Sequence, residues 1–202
     1  MNLKTSPIAI HPSVLPFRHG CNNLWVTKQN QEAHNLSSEL LSWLFDEHSL
    51  TQRLCAIATT FEVVVLREGP ASISDAELQL FATHEGLNSR EVLLLCDGQP
   101  QVYARTLIPQ TTLEHANSLL KTLGNKSLGE VLFRDKSMQR QAIEITSFSK
   151  DSTMADFAQS LSLEVTHPLW ARRSIFTLND NPLMVSEVFL PNSYAYQKEQ
   201  AE

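Results

Sequence analysis

The sequence predicts an α+β domain, an antiparallel sheet with helices packed on it. Three observations carry that reading. Six segments are dense in β-branched and other apolar residues. Four of these pair into two hairpins, one closed by Asp97-Gly98 and one by Asn179-Asp180-Asn181. Segments of helical period fall before and between them, which is the order of an antiparallel sheet carrying helices rather than of alternating βαβ units.

Taken in order, residues 1–35 are rich in Pro, Asn and Gln with weak periodicity and read as an extended leader. Residues 37–45 place apolar side chains at helical spacing behind a Ser37 or Ser38 cap. A second short helix begins at Ser49 and runs through Leu54. Strands are expected at 61–66, 90–96 and 102–108, the last stopped by Pro109. Thr111 or Thr112 opens a helix through Leu113, Ala116, Leu119 and Leu120 that ends near Gly124. Residues 128–133 form a short helical piece, and 142–148 a further strand. Residues 150–169 have no decisive period. Strands 170–178 and 183–190 make the second hairpin, and a polar tail follows from 192 to 202. The expected organisation is one domain over 36–191, between the leader and the tail.

Composition removes several classes of function. The chain has 202 residues, 42% of them hydrophobic and 19% charged, which suits one globular domain with a sizeable core. A net charge of −6 without a Lys/Arg cluster does not suit nucleic-acid binding. No apolar run approaches a membrane span, and the first residues lack a secretory pattern. Cys21, Cys55 and Cys96 are odd in number and lack metal-ligand spacing, which points to the cytoplasm, without a disulfide framework or a structural zinc. His48, His84, His115 and His167 show no H-x-x-x-H spacing, so no metal is expected. Nucleotide-binding glycine loops and a G-x-S-x-G elbow are also missing.

Two strands carry charges on apolar faces. In 183–190, alternation puts Glu187 with Leu183, Val185 and Phe189. A carboxylate in that company needs a partner. An edge open to water, a structural ion pair and a ligand contact are all open readings. In 90–96, Arg90 shares a face with Val92, Leu94 and Cys96, and its planar fork suits a carboxylate. Arg105 alternates with Tyr103 and Leu107 on the next strand, where a salt bridge and a ligand role stand level.

Four blocks then carry a resemblance: LLSWLFDEHSLTQRL (40–54), REVLLLCDGQPQVYARTLIP (90–109), TLGNKSLGEVLF (122–133) and LWARRSIFTLNDNPLMVSEVFLP (169–191). In this order and spacing the chain resembles the chorismate pyruvate-lyases of ubiquinone biosynthesis. The resemblance implies a single domain with a six-stranded antiparallel sheet and helical flaps over an enclosed site. It implies elimination of pyruvate from chorismate to give 4-hydroxybenzoate, without cofactor, by a monomer. It also assigns residues. Arg90 would hold the product's carboxylate and Glu187 its hydroxyl, while Leu50 and Leu128 close over the ring. Methionine is frequent in the family where Leu50 stands here, an exchange of similar volume. Arg105 is a further candidate for the side-chain carboxylate, with Arg172 and Arg173 as alternatives. The competing reading is a sensor domain of the same fold that binds a small aromatic acid without turning anything over.

Overall fold

The computed structural model describes residues 10–29, 36–81, 86–115, 124 and 126–197. Within them the sheet has eight strands: β1 (Val26–Thr27), β2 (Phe61–Pro70), β3 (Leu87–Cys96), β4 (Gln99–Pro109), β5 (Gln139–Arg140), β6 (Glu144–Phe148), β7 (Leu169–Leu178) and β8 (Asn181–Phe189). All pairings are antiparallel, in the order β1-β6-β7-β8-β4-β3-β2, with β5 beside β7. The expectation of six strands is therefore corrected to eight. The two additions, β1 and β5, are two residues each, too short for an alternation to register in sequence.

The helices are α1 (Ser38–Leu44), α2 (Leu50–Ile57), α3 (Asp75–Leu78), α4 (Gln110–His115), α5 (Leu128–Leu132) and α6 (Thr153–Ser160). Ser37, Ser49, Ser74 and Ser152 cap the first, second, third and sixth, each hydroxyl accepting a backbone N–H of the opening turn. The undecided stretch 150–169 thus contains α6, with Met154, Ala155, Phe157 and Ala158 buried along one stripe. Residues 116–123, where the helix from Thr111 was expected to continue, lie outside the described residues, as does His84.

Both faces of the sheet are covered, so β3 and β4 are buried almost end to end and read as continuous apolar runs. One face carries Val63, Val92, Leu94, Val102, Ala104 and Phe189 beneath α1 and α2. The other carries Leu93, Leu95, Tyr103, Ala171 and Val188 beneath α6 and the N-terminal segment. Leu15, Phe17, Cys21 and Trp25 are buried there. Residues 10–25, expected as part of an extended leader, belong to the second layer. They cross the sheet largely as coil, so their anchors have no period to detect.

The start of the expected polar tail is also fastened. Tyr194–Tyr196 form a 3-10 turn capped by Ser193, and Ala195 is buried. The Tyr196 hydroxyl accepts from Trp170 N–H at 2.7 Å and donates to Phe189 O at 3.1 Å. No helix among the described residues is long and apolar enough to cross a membrane.

Candidate active site

A narrow, largely covered cavity lies between the first face of the sheet and the helices α2 and α5. Its floor follows from strand register. Val92, Ala104, Glu187 and Arg172 form one cross-strand row through β3, β4, β8 and β7. Arg90 stands two residues along β3 from that row, on the same face. Arg90 and Glu187 are thus placed diagonally, roughly 12 Å apart between Cα atoms from two inter-strand steps and two residues of rise. Val92, Ala104 and Val185 make an apolar floor around them.

The roof is made by the first turns of two helices. Leu50 opens α2 and Leu128 opens α5, and both line the cavity. The two flaps are tied by a buried hydrogen bond between Thr51 Oγ1 and Ser127 Oγ. Gly129 permits this approach, because a Cβ there would stand 3.3 Å from Thr51 Oγ1. Leu50, Arg90, Leu128 and Glu187, singled out in sequence, therefore face one cavity.

The charges around it are partnered unequally. Arg90 is 5% exposed; it donates to the Glu68 carboxylate, to Gly124 O at 2.6 Å and to Lys126 O at 3.3 Å. The last two contacts fasten the approach to α5. Arg172 Nε donates to Glu187 Oε2 at 2.6 Å, and its Nη1 donates to Trp43 O at 2.8 Å and Asp46 O at 2.9 Å. Glu187 is thus paired, as its apolar surroundings require. Arg140, on β5, also lines the cavity. It is held by Ser174 Oγ at 3.0 Å and by Asp46 O and Glu47 O, both at 3.2 Å. Burial and then the neighbouring Arg172 lower its pKa to about 10. Four cations, Arg90, Lys126, Arg140 and Arg172, and one carboxylate, Glu187, line the site. That balance suits an anion with more than one negative group.

Arg105 is elsewhere. It is 1% exposed on the opposite face, where it pairs with Glu77, donates to Ser72 O and lies 5.2 Å from the Phe17 ring centroid. A β-bulge is the reason. The Asp97-Gly98 turn sets Cys96 opposite Gln99 and Leu95 opposite Pro100, and continuing that register would bring Arg105 opposite Arg90. Instead Leu94 pairs with Val102, so Gln101 is the extra residue and Arg90 faces Thr106. Pro100 has no N–H to give the ladder there. Arg173 also lies off the cavity, paired with Glu144 at 2.8 Å and over the Trp25 ring. His48 is exposed beside Asp46, and His167 packs on Tyr196. Sequence reasoning missed Arg140, whose polar neighbours on a two-residue strand read as surface, and Thr51 and Ser127, which carry no periodic signal.

The family model described as chorismate lyase matches residues 21–201. This chain belongs to the chorismate lyase family. A "Probable chorismate pyruvate-lyase" of Psychromonas ingrahamii is 44% identical over 161 residues, covering 79% of this chain and 87% of the relative. One of the same name from Shewanella sp. (strain ANA-3) is 41% identical over 178 residues, covering 88% and 92%. Among solved structures, the C-terminal domain of the histidine utilization repressor from Pseudomonas syringae pv. tomato aligns with a TM-score of 0.51 at 11% identity, over 71% of this chain and 99% of that one. The effector domain of PhnF from Mycobacterium smegmatis gives 0.51 at 15% identity, over 71% and 88%. At those identities the likeness is one of fold, shared between chorismate lyases and regulator domains.

Proposed function

We propose that this protein is a chorismate pyruvate-lyase that releases 4-hydroxybenzoate for ubiquinone biosynthesis. The observation that carries the reading is that Arg90 and Glu187 line one cavity, diagonally across its apolar floor, in a chain of this family. Arg90 takes the ring carboxylate in a two-pronged contact. Glu187, paired with Arg172, accepts a hydrogen bond from the 4-hydroxyl and fixes the ring's rotation. Leu50 and Leu128 cover the ring.

The reaction then needs orientation more than a strong catalyst. The C4–H bond breaks, and its electron pair becomes part of the aromatic ring. The C3–O ether bond breaks, and that oxygen leaves as the enolate of pyruvate. A proton added at its methylene carbon completes pyruvate, so the proton lost from C4 is balanced by the one gained. Cations around the cavity stabilise the charge that gathers on the departing oxygen. The flaps exclude water and also retain the product, which makes its release slow. The same reading carries a cofactor-free, cytoplasmic monomer.

The test is direct. Purified protein is mixed with chorismate, and 4-hydroxybenzoate and pyruvate are followed separately. Equimolar formation of both, lost in Arg90→Ala, supports the lyase. Tight 4-hydroxybenzoate binding without turnover would replace it with the sensor reading that the shared fold allows.

A further inference from the structure

A second, more open pocket adjoins the first cavity and is lined by Glu47, Met138, Gln141, Ala142 and Ile143 together with Phe133 and Arg140. Phe133 and Arg140 line both cavities, and Arg140 is the cation common to the two. It stands in the partition between a closed ring site and an open pocket.

Resting on the lyase reading, we propose that Arg140 is the positioning residue for the carboxylate of chorismate's enolpyruvyl side chain. Charge is the first argument. Arg90 has Glu68 as counter-ion and Arg172 has Glu187. Arg140 has no carboxylate within ion-pair distance among the described residues; its acceptors there are one hydroxyl and two carbonyls, reached through Nε and Nη1. Its Nη2 has no hydrogen-bond partner among those residues and remains available to an anion. Burial beside a second guanidinium disfavours the charged form, a cost that a bound carboxylate relieves.

Position is the second argument. Arg140 Nη1 and Arg172 Nη1 donate to the same acceptor, Asp46 O. Arg140 therefore stands at the Glu187 end of the cavity, where the 4-hydroxyl is read. The enolpyruvyl ether is attached at C3, the ring carbon next to C4, so the second carboxylate of the substrate emerges at that end. Arg90 cannot serve both, because its carboxylate is at the opposite end of the ring. The substrate carries two carboxylates and the product one, so Arg140 discriminates between them. Once the C3–O bond has broken, the acid held by Arg140 is pyruvate, already at the wall of the open pocket. The ring acid stays with Arg90 and Glu187.

The test compares substrate with product in Arg140→Ala and Arg140→Lys. The expected result is a fall of about 100-fold in kcat/KM for chorismate in the alanine variant. The dissociation constant of 4-hydroxybenzoate should stay within about threefold, and lysine should restore part of the loss by keeping the charge. Equal losses for chorismate and 4-hydroxybenzoate would mean that Arg140 only holds the 46–47 loop, and would overturn the assignment. Unchanged kcat/KM would overturn it as well. Wild-type protein run in parallel separates the two levels: no product from it refutes the lyase reading itself, whereas normal turnover with unselective variants refutes Arg140 alone.

Discussion

Arg90 and Arg105 are both buried arginines on neighbouring strands, yet they should fail in different ways. Arg90→Ala strands little. Its ionic partner Glu68 is 55% exposed, and Gly124 and Lys126 are exposed as well, so water can replace the guanidinium. The stability loss should be about 1–2 kcal/mol, the scale of hydrogen bonds lost near the surface. The ligand loses more. Two charge-assisted bonds at about 1.5–3 kcal/mol each give roughly 3–6 kcal/mol, less up to about 1 kcal/mol for no longer displacing Glu68. Affinity for 4-hydroxybenzoate should therefore fall by about 1.5 to 4 orders of magnitude. Arg105→Ala leaves Glu77, 1% exposed, as a buried carboxylate without its guanidinium. Breaking such a pair costs about 3–5 kcal/mol. At about 2–4 °C per kcal/mol for a chain of this size, the melting temperature should drop by roughly 6–20 °C. Thermal unfolding and product titration of both variants read the two effects. Binding by Arg90→Ala within tenfold of wild type would refute the clamp, and an unchanged melting temperature in Arg105→Ala would refute the structural pair.

Three further outcomes follow from the same geometry. Glu68→Ala removes the carboxylate that competes for Arg90, so 4-hydroxybenzoate should bind up to about fivefold more tightly in titration; weaker binding would show that Glu68 orients Arg90 instead. Thr51→Val cuts the hydroxyl link between the flaps and leaves Ser127 Oγ buried without that partner, a cost of about 1–3 kcal/mol to the closed form. Product dissociation, followed by a displacement chase, should speed up about tenfold, and an unaltered rate would contradict a latch. Burial pushes the Asp46 carboxyl up, but hydrogen bonds from the His48 backbone and ring and from Arg53 outweigh it, leaving the carboxyl below its usual range. A depressed folded value contributes stability that is present above the unfolded pKa of about 4 and lost as pH falls through the lower folded value. Asp46→Asn should flatten that acid limb in pH-dependent unfolding; an unchanged limb would remove Asp46 from it.

Much of the site was legible in the sequence because period-2 alternation needs no knowledge of partners. It put Arg90 with Val92 and Leu94, and Glu187 with Val185, and these residues line the cavity. What alternation cannot supply is the register between strands, and the arginines turn on it. Reading Asn179-Asp180-Asn181 as a three-residue loop would set Glu187 opposite Arg173. The loop is instead two residues, Asn179 and Asp180, both at positive φ (49° and 64°), so Leu178 pairs with Asn181 and Glu187 with Arg172. A shift of one residue exchanges the faces of a strand. The same single-residue logic at Gln101 turns Arg105 away from Arg90. The coil of residues 10–25 evades sequence reading for a different reason: Leu15, Phe17 and Trp25 are each buried by a tertiary contact with the sheet, not by a repeating element. Residues fixed by their own strand were readable. Residues fixed by a turn, a bulge or a crossing segment needed the fold, and among these are Arg172, which pairs with Glu187, and Arg140, to which we assign the side-chain carboxylate.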